Sequence, residues 1–436
     1  MKSLRSYVYY KLFFPIGDLV VKTKLSYYYR KIKMMQNLSG KDIINWQNQQ
    51  LRILLTHAYC HTTYYKELLD SLGLKPNDFS SKEDLNRLPP LTKEIIINNF
   101  HKFIPDNISK ISHKEAFTGG STGKPLKYLL DNRSWSFSTA NTLINRENNG
   151  WYIGDKHIVL GSSSLNISSK QSIKHKIYYL LKGKISLSGV NLSDSVCNKY
   201  INIIMSKKIR HIYGYASSIY LLADYALRNK LNIKLDGCYT TSEKLTDIFR
   251  QTITEAFKCK ILDEYGANDG GITAFNYGDG RFLVSYNSLF NCPDAEHFSL
   301  LLTDLTNHAF PLINYDLGDQ VSCQENHSFR HNYNGQVFTS LLGRTSDIIQ
   351  LENGSNITGP GFTVLFNSFP VEYYCVKKEG VNHIKCFIKK RNDFNLEHEA
   401  ILKKNIAAQI GDAQLDIEYS DKVFFTKSGK RAYFIK

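Results

Sequence analysis

The sequence predicts an α/β protein with two domains: a large N-terminal domain of layered sheets and helices with parallel strands, and a small C-terminal α+β domain. From about residue 155, short apolar runs that end in small or turn-forming residues alternate with helical stretches. This alternation is typical of parallel strands covered by helices. After about residue 345 the pattern changes to a compact mixture of strands and one helix. We therefore predict domains at 1–345 and 346–436.

The composition permits a substantial hydrophobic core. Of the 436 residues, 42% are hydrophobic and 22% are charged, an ordinary globular mixture. The formal net charge of +15 favours anionic neighbours but does not choose among nucleotides, lipid head groups and nucleic acid. None of the eight cysteines forms a CxxC pair, so neither a zinc site nor a thioredoxin-type motif is indicated. Scattered single cysteines are typical of a reducing cytosol, so we expect a cytoplasmic protein.

Residues 1–35 combine tyrosines and phenylalanines with lysines and arginines. Their apolar run is shorter than the ~18–20 residues that span a bilayer, and it lacks the cleavage site of a secretory signal. Two interpretations stay open. The segment is either an interfacial helix on the inner face of an anionic membrane or a basic helix packed on the domain surface.

The region that follows predicts helices. Residues 49–73 carry leucines at helical spacing, and Gly73 marks the stop. Thr92 is the expected N-cap of a further helix.

Four short apolar runs then predict strands at 156–163, 209–215, 238–243 and 259–266, with helices between them. In parallel sheets, ligands bind at the carboxyl ends of strands. The candidate site segments at these ends include Thr241, Ser242, Glu243, Tyr265 and Gly266.

The C-terminal domain has its own alternating pattern. Strands are expected at 371–378, 383–390, 415–420 and 431–436, and a helix at 397–411 ends at a glycine.

Residues 118–128, TGGSTGKPLKY, form a loop suited to phosphate. Glycines let the backbone N–H groups approach a phosphate closely, hydroxyls add donors, and lysine adds positive charge. The spacing is not that of a Walker loop, and Pro125 prevents direct continuation into a helix. A generic glycine-rich hairpin is the alternative. The candidate phosphate ligands are Thr118, Gly119, Gly120, Ser121, Thr122, Gly123 and Lys124, with Lys127 as a second cation.

This loop resembles the Thr/Ser-Gly-rich loop of the adenylate-forming superfamily, which comprises acyl-CoA synthetases, peptide-synthetase adenylation domains and luciferases. Later segments are similar to other family motifs in the same order. These are DEYGANDGG at 263–271, LLTDLTNHAFPLINYDLGDQ at 301–320, GRTSDIIQLENG at 343–354 and TKSGKR at 426–431. The N-terminal region is similar to that of the phenylacetate–CoA ligase-like branch, which includes proteins found in capsule and O-antigen gene clusters.

The resemblance implies an enzyme that activates a carboxylic acid with ATP and Mg²⁺, releases pyrophosphate and transfers the acyl group to an acceptor. The acid would be an amino acid, an aryl acid or a sugar uronate. The acceptor would be an amine, as in surface polysaccharide modification, or the thiol of CoA. No nucleic-acid-binding module is recognised, so we expect no nucleic-acid partner.

The resemblance also assigns roles in nucleotide binding. The loop residues, Thr122 among them as a catalytic residue, would hold the β- and γ-phosphates. Tyr265 and the adjoining Gly266 would contact adenine, in a pocket lined by Thr241, Ser242 and Glu243. Asp319 would bind both ribose hydroxyls, and Arg344 the ribose or phosphate. For each residue a purely structural role, such as a core aromatic or a turn aspartate, is the alternative.

Three residues carry the implied catalysis and domain motion. Lys430 would bridge the carboxylate and the α-phosphate. Asp269, where the branch has glutamate, would bind Mg²⁺, which needs few protein ligands. Ser346, where the family has Asp or Lys, would be the hinge on which a mobile C-terminal domain rotates.

Two further hypotheses stand beside the ligase. One is a basic protein that binds a membrane surface or nucleic acid, suggested by the net charge. The other is a family member that binds nucleotide without turnover, suggested only by the departures at Asp269 and Ser346.

Overall fold

The structure is a computed structural model in which an N-terminal group of helices precedes two large sheets and a smaller C-terminal sheet. It describes residues 4–117, 126–161, 183–189, 192–267, 271–291, 299–322, 335–344, 348–350, 356–358, 365–366, 369–410, 413–425 and 432–435.

The N-terminal segment consists of α1 (Leu4–Val8), a π-helical turn (Tyr9–Phe13), α2 (Phe14–Val21) and α3 (Leu25–Met35). Helix α3 buries Tyr28, Ile32 and Met35 on one side. These side chains pack in one cluster with apolar residues of α7 (Asn132–Asn148). Within the described ranges, no helix is long and apolar enough to cross a bilayer.

Helices α4 (Gly40–His61), α5 (Thr63–Ser71) and α6 (Lys93–Asn98) follow. The helix predicted over 49–73 is in fact part of two helices, because Thr62 adopts an extended conformation and its hydroxyl accepts a hydrogen bond from Tyr65 N–H in α5. The predicted helix end at Gly73 and the predicted N-cap at Thr92 are both confirmed. Gly73 has a positive φ of 66°, and Thr92 Oγ1 accepts from Ile95 N–H in α6.

Strands β1 (His113–Phe117) and β2 (Lys127–Asp131) form an antiparallel hairpin. The strands of the main sheet follow, with the spatial order β13-β9-β8-β7-β6-β5-β3-β4. Its members are β3 (His157–Gly161), β4 (Lys184–Ser188), β5 (His211–Tyr215), β6 (Gly237–Thr241), β7 (Lys260–Ala267), β8 (Ile272–Asn276), β9 (Phe282–Val284) and β13 (Val337–Phe338).

The five strands from β4 to β7 in this order are parallel, as the alternating pattern predicts, and β8, β9 and β13 continue the sheet antiparallel. Their apolar residues form a core with three helices that lie between them in the chain. These helices are α8 (Asp194–Lys207), α9 (Ala216–Arg228) and α10 (Asp247–Phe257).

A second, antiparallel sheet contains β10 (Ser288–Asn291), β11 (Ser299–Asp304), β12 (Tyr315–Ser322) and β14 (Ser340–Arg344). Residues of β8 and β9 share a hydrophobic cluster with Leu300 and Leu302 of β11. The packing of one sheet on the other confirms the layered α/β fold class.

The C-terminal sheet has the order β19-β18-β17-β20 and packs on one helix. Its elements are β17 (Val371–Gly380), β18 (His383–Lys390), α11 (Leu396–Ile410), β19 (Gln414–Tyr419) and β20 (Phe434–Ile435), preceded by the hairpin of β15 (Ile348–Gln350) and β16 (Asn356–Thr358). Strands β17, β18 and β19 and the helix lie close to their predicted ranges, β20 covers two residues of the predicted 431–436, and the β15–β16 hairpin was not predicted. The domain boundary near residue 345 stays a prediction.

Candidate active site

The topology of the main sheet creates an edge suited to ligand binding. Chain order reverses at β3, which has β4 on one side and β5 on the other. Ligands in open α/β sheets bind beside such a reversal, at the carboxyl ends of the strands. Strands β5, β6 and β7 end at this edge, and β6 and β7 carry Thr241 and Tyr265 there.

Two residues that are 54 positions apart in the sequence meet at this edge. The Tyr265 hydroxyl donates a hydrogen bond to Asp319 Oδ2 at 2.6 Å. Asp319 is buried on β12, and its backbone is the register partner of Arg344 on β14. The tyrosine ring rests edge-on against Phe338, with 5.8 Å between centroids. The two sheets thus bring together three residues predicted to contact the nucleoside.

The segment after β6 turns sharply and contacts a helix. Thr241 is buried at the end of the strand, and Ser242 has a φ of 67°, a conformation uncommon outside glycine. The Glu243 carboxylate accepts the N–H of Ser217 in the first turn of α9 at 2.9 Å, where the helix dipole favours negative charge. The predicted adenine wall is therefore hydrogen-bonded to the first turn of α9. Gly266 continues β7, opposite Thr273 of β8.

The predicted phosphate ligands from Thr118 to Lys124 lie outside the described residues, but both flanks of their loop are defined. Phe117 and Lys127 are register partners at the end of the β1–β2 hairpin. The loop therefore connects two paired antiparallel strands. Lys127 Nζ lies 2.6 Å from Glu115 Oε1, so its charge has a partner on the neighbouring strand.

Asp304, a residue that sequence reasoning did not single out, links several site segments. Its buried carboxylate accepts hydrogen bonds from the Ser134 hydroxyl, from the N–H and hydroxyl of Thr306 at 2.9 and 2.8 Å, and from the Asn287 amide at 3.3 Å. Burial raises the pKa of this carboxyl, against the effect of these donors. Ser134 lies in the first turn of α7, just after the phosphate-loop hairpin.

Asp304 also restricts which residue can occupy position 271, in the segment that follows Asp269. Gly271 has a φ of 64°, and a side chain there would collide with the Asp304 carboxylate. The Asn307 side chain, three residues beyond Asp304, accepts from Asp131 N–H and donates to the carbonyl of Leu129, both at 3.1 Å. One buried turn thus contacts both β2, which follows the predicted phosphate loop, and Gly271, which follows the predicted metal segment. Asp304 lies in the stretch 301–320 that resembles a family motif. Several of its contacts are with residues distant in the sequence, so they could not be predicted.

A buried ion pair supports β7 next to Tyr265. Arg146 of α7 donates to both oxygens of Glu264, at 2.6 Å each. The guanidinium lies over the ring of Tyr213, 4.1 Å from its centroid. Neighbouring residues on a strand point to opposite faces, so this pair holds the strand from the side opposite Tyr265.

Lys430 lies outside the described residues, in the segment 426–431. Hydrogen bonds join the residues on either side of this segment. Ala432 N–H donates to the Phe424 carbonyl at 2.9 Å. The Tyr373 hydroxyl on β17 donates to the Ala432 carbonyl at 2.5 Å and accepts from Phe424 N–H at 3.1 Å. The C-terminal sheet therefore holds both ends of the segment that carries the predicted catalytic lysine.

Asp269, the predicted magnesium ligand, and Ser346, the predicted hinge, also lie outside the described residues. In the part of the chain that the structure describes, no group of three or more His, Cys, Asp or Glu residues could hold a metal ion. The metal site and the hinge stay predictions.

Comparison with known proteins supports the sequence resemblance. No protein-family model matches the sequence. The chain is 23% identical to Protein CapK of Staphylococcus aureus over 440 residues, which covers 96% of this chain and 94% of that protein. It is 23% identical to phenylacetate-coenzyme A ligase of Escherichia coli over 66% of this chain and 69% of the enzyme. The corresponding enzyme of Thermus thermophilus is 21% identical over 79% of this chain and 81% of that enzyme.

Solved structures agree on the fold. 2-Hydroxyisobutyryl-CoA ligase in the postadenylation state, in complex with R3-HIB-AMP, gives a TM-score of 0.67 at 14% identity, covering 92% of this chain and 90% of that chain. The same enzyme in the thioesterification state, with 2-HIB-AMP and CoA, gives a TM-score of 0.55 at 15% identity, covering 91% of this chain and 90% of that chain. Fold, motif order and full-length sequence similarity together confirm the resemblance. The chain resembles the phenylacetate–CoA ligase-like branch of the adenylate-forming superfamily in sequence over most of its length, and it shares the fold of an AMP-forming CoA ligase.

Proposed function

We propose that this protein activates a carboxylic acid with ATP, forms an acyl-adenylate and then transfers the acyl group to an amine in the modification of a surface polysaccharide. The observation that carries the nucleotide part is the hydrogen bond between Tyr265 and Asp319 at the carboxyl edge of the parallel sheet. It brings together the two described side chains to which the family pattern gives adenine and ribose contacts.

In the first step, a carboxylate oxygen forms a bond to the α-phosphorus of ATP, and the bond to the bridging oxygen of pyrophosphate breaks. Two anions approach each other, so positioning and positive charge dominate the barrier. Lys430 would lie between the carboxylate and the α-phosphate, and Thr118 to Lys124 would hold the β- and γ-phosphates. The joined ends of the Lys430 segment support this role, because they restrict where the lysine can reach.

In the second step, the acceptor attacks the acyl carbon, loses a proton and displaces AMP. Ser346 would act as the hinge on which the C-terminal domain rotates, so that the contacts of this domain change between the two steps.

Magnesium would bind through Asp269 and the phosphates of ATP, and its charge would stabilise the departing pyrophosphate. Support comes from Gly271, two residues beyond Asp269, whose position is fixed against Asp304. The metal requires few protein ligands because it retains waters and binds the phosphates.

Two acceptors compete. The amine rests on the resemblance to the branch that includes proteins of capsule and O-antigen gene clusters, and the chain is similar to Protein CapK over nearly the whole of both chains. The thiol of CoA is the second candidate, because two relatives are phenylacetate-coenzyme A ligases. We also propose that the protein works in the cytoplasm at the inner face of the membrane, which the exposed side chains of its N-terminal segment support.

An ATP–pyrophosphate exchange screen over amino acids, aryl acids and sugar uronates tests the first step, and product mass with amines or CoA then identifies the acceptor. Lys430→Ala should abolish exchange, whereas Lys404→Ala, at an exposed lysine of α11, should leave it intact. Unchanged exchange in Lys430→Ala would remove that lysine from the mechanism. Failure of every acid to produce exchange or AMP would overturn the ligase.

A further inference from the structure

A row of exposed apolar side chains runs along the outer side of α2 and the π-helical turn before it. We call it the outer ridge and define it as Leu12, Phe13, Ile16, Leu19 and Val20. The relative exposure of these side chains ranges from 43% for Phe13 to 82% for Leu19. Single exposed apolar residues are common on proteins, but a contiguous patch marks a surface that contacts something else.

The opposite side of the same helical segment is fixed to the protein. Tyr10 stacks on Tyr29 of α3 with 4.7 Å between ring centroids, and Phe14 is buried. The Asp18 carboxylate accepts the N–H of Ser26 at the start of α3 at 2.8 Å. Positions 10, 14 and 18 recur at helical spacing, so they face the domain and hold the outer ridge toward the outside.

The charge around the outer ridge indicates which partner covers it. Residues 1–38 contain eight lysines and arginines but one acidic residue, Asp18, whose carboxylate binds the start of α3. Lys11, Lys22 and Lys24 are exposed next to the ridge in sequence. Apolar side chains flanked by cations are typical of helices at an anionic lipid interface. In a symmetric contact between two copies, the same cations would approach each other and repel.

We propose that the outer ridge inserts into the surface of an anionic phospholipid membrane, with Lys11, Lys22 and Lys24 over the lipid head groups. The segment is too short to cross the bilayer, so the contact is peripheral. This contact rests on the membrane location proposed above and specifies the residues that make it. The proposed active site of the main sheet is not needed for this binding, so the contact can be tested independently of the ligase reaction.

The test is cosedimentation of the full-length protein with vesicles of phosphatidylcholine, with and without phosphatidylglycerol. We expect binding to the anionic vesicles only, weakened when salt rises from about 0.1 M to about 0.5 M. The double variant Leu19→Glu with Val20→Glu should require roughly tenfold more anionic lipid for half-maximal binding. Leu396→Glu is the matched control, because Leu396 of α11 is 84% exposed and lies outside the ridge. It should bind as the wild type does.

Three outcomes would overturn the proposal. They are no binding to anionic vesicles, equal binding by the double variant and the wild type, or a wild-type dimer in sedimentation analysis that the double variant converts to a monomer without any vesicle binding. Circular dichroism and ATP–pyrophosphate exchange, both expected to be unchanged in the double variant, distinguish lost membrane binding from misfolding.

Discussion

The hydroxyl of Tyr265 lies 2.6 Å from Oδ2 of Asp319, joining the parallel sheet to the antiparallel sheet across the proposed nucleoside site. Tyr265→Phe keeps the ring but removes this donor. We expect the KM for ATP to rise roughly tenfold, because a hydrogen bond to a charged group contributes about 1.5–3 kcal/mol. ATP–pyrophosphate exchange at several ATP concentrations measures this KM. Tyr27→Phe, at an exposed tyrosine of α3, is the control, and an unaltered KM in Tyr265→Phe would contradict the assignment.

Asp304→Asn tests the buried turn that joins the two site segments. Asparagine has nearly the same shape, but its amide group presents donors where the carboxylate accepts from Ser134, Asn287 and Thr306. Unsatisfied buried groups cost about 1–3 kcal/mol each, so we expect the free energy of unfolding to fall by that amount. Urea denaturation measures it, and kinetics on the folded fraction should show a higher KM for ATP. A loss of stability with unchanged KM would limit Asp304 to a structural role.

Tyr373→Phe tests whether the joined ends of the 426–431 segment position Lys430. The substitution removes the hydroxyl that contacts Phe424 and Ala432 but keeps the buried ring. We expect kcat for adenylation to fall roughly tenfold, because small misplacements of catalytic groups are costly. The KM for ATP should stay unchanged. Tyr419→Phe removes a hydroxyl from β19 of the same sheet and should preserve kcat. An equal effect of both substitutions would argue against specific positioning.

His157 predicts a pH dependence of stability. Burial lowers the pKa of His157 to about 3, so the folded state keeps this side chain neutral where the unfolded state, with a pKa near 6.5, binds a proton. Its contribution to stability is therefore fully present above about pH 6.5 and is lost as pH falls toward 3.

The variant His157→Gln removes this linkage. Between about pH 6 and 4, the free energy of unfolding should fall less steeply with decreasing pH than in the wild type, by about 1.4 kcal/mol per pH unit. Urea titrations at several pH values give both slopes. Parallel slopes would show that His157 is protonated in the folded state.

The sequence was sufficient for elements whose signal is local. The apolar runs of β3, β5, β6 and β7 predicted parallel strands, and β17, β18, β19 and α11 lie where their periodicity indicates. The break at Thr62 was missed, because leucines at helical spacing continue across it. The roles predicted for Tyr265 and Asp319 come from the order of motifs, and the structure places the two side chains in contact.

The polar contacts between distant segments could not be predicted. Asp304 and Ser134 are 170 residues apart, and Arg146 and Glu264 are 118 apart. Neither pair has a periodicity that would identify it, because such pairs form only when the sheets and α7 pack together. The roles of all the candidate site residues stay predictions, those of Tyr265, Asp319 and Arg344 as much as those of Asp269 and Lys430.

The contact between Glu243 and the first turn of α9 has a consequence for changing which acid the enzyme accepts. Glu243, which is predicted to line the adenine pocket, also accepts a hydrogen bond from the first turn of α9, the helix that we expect to line the acyl pocket. Redesign of that helix for a bulkier or more polar acid would shift Glu243 and, through it, Ser242 and Thr241. We therefore expect selectivity for the acid and affinity for ATP to change together, so that screens for new substrates should be run at saturating nucleotide.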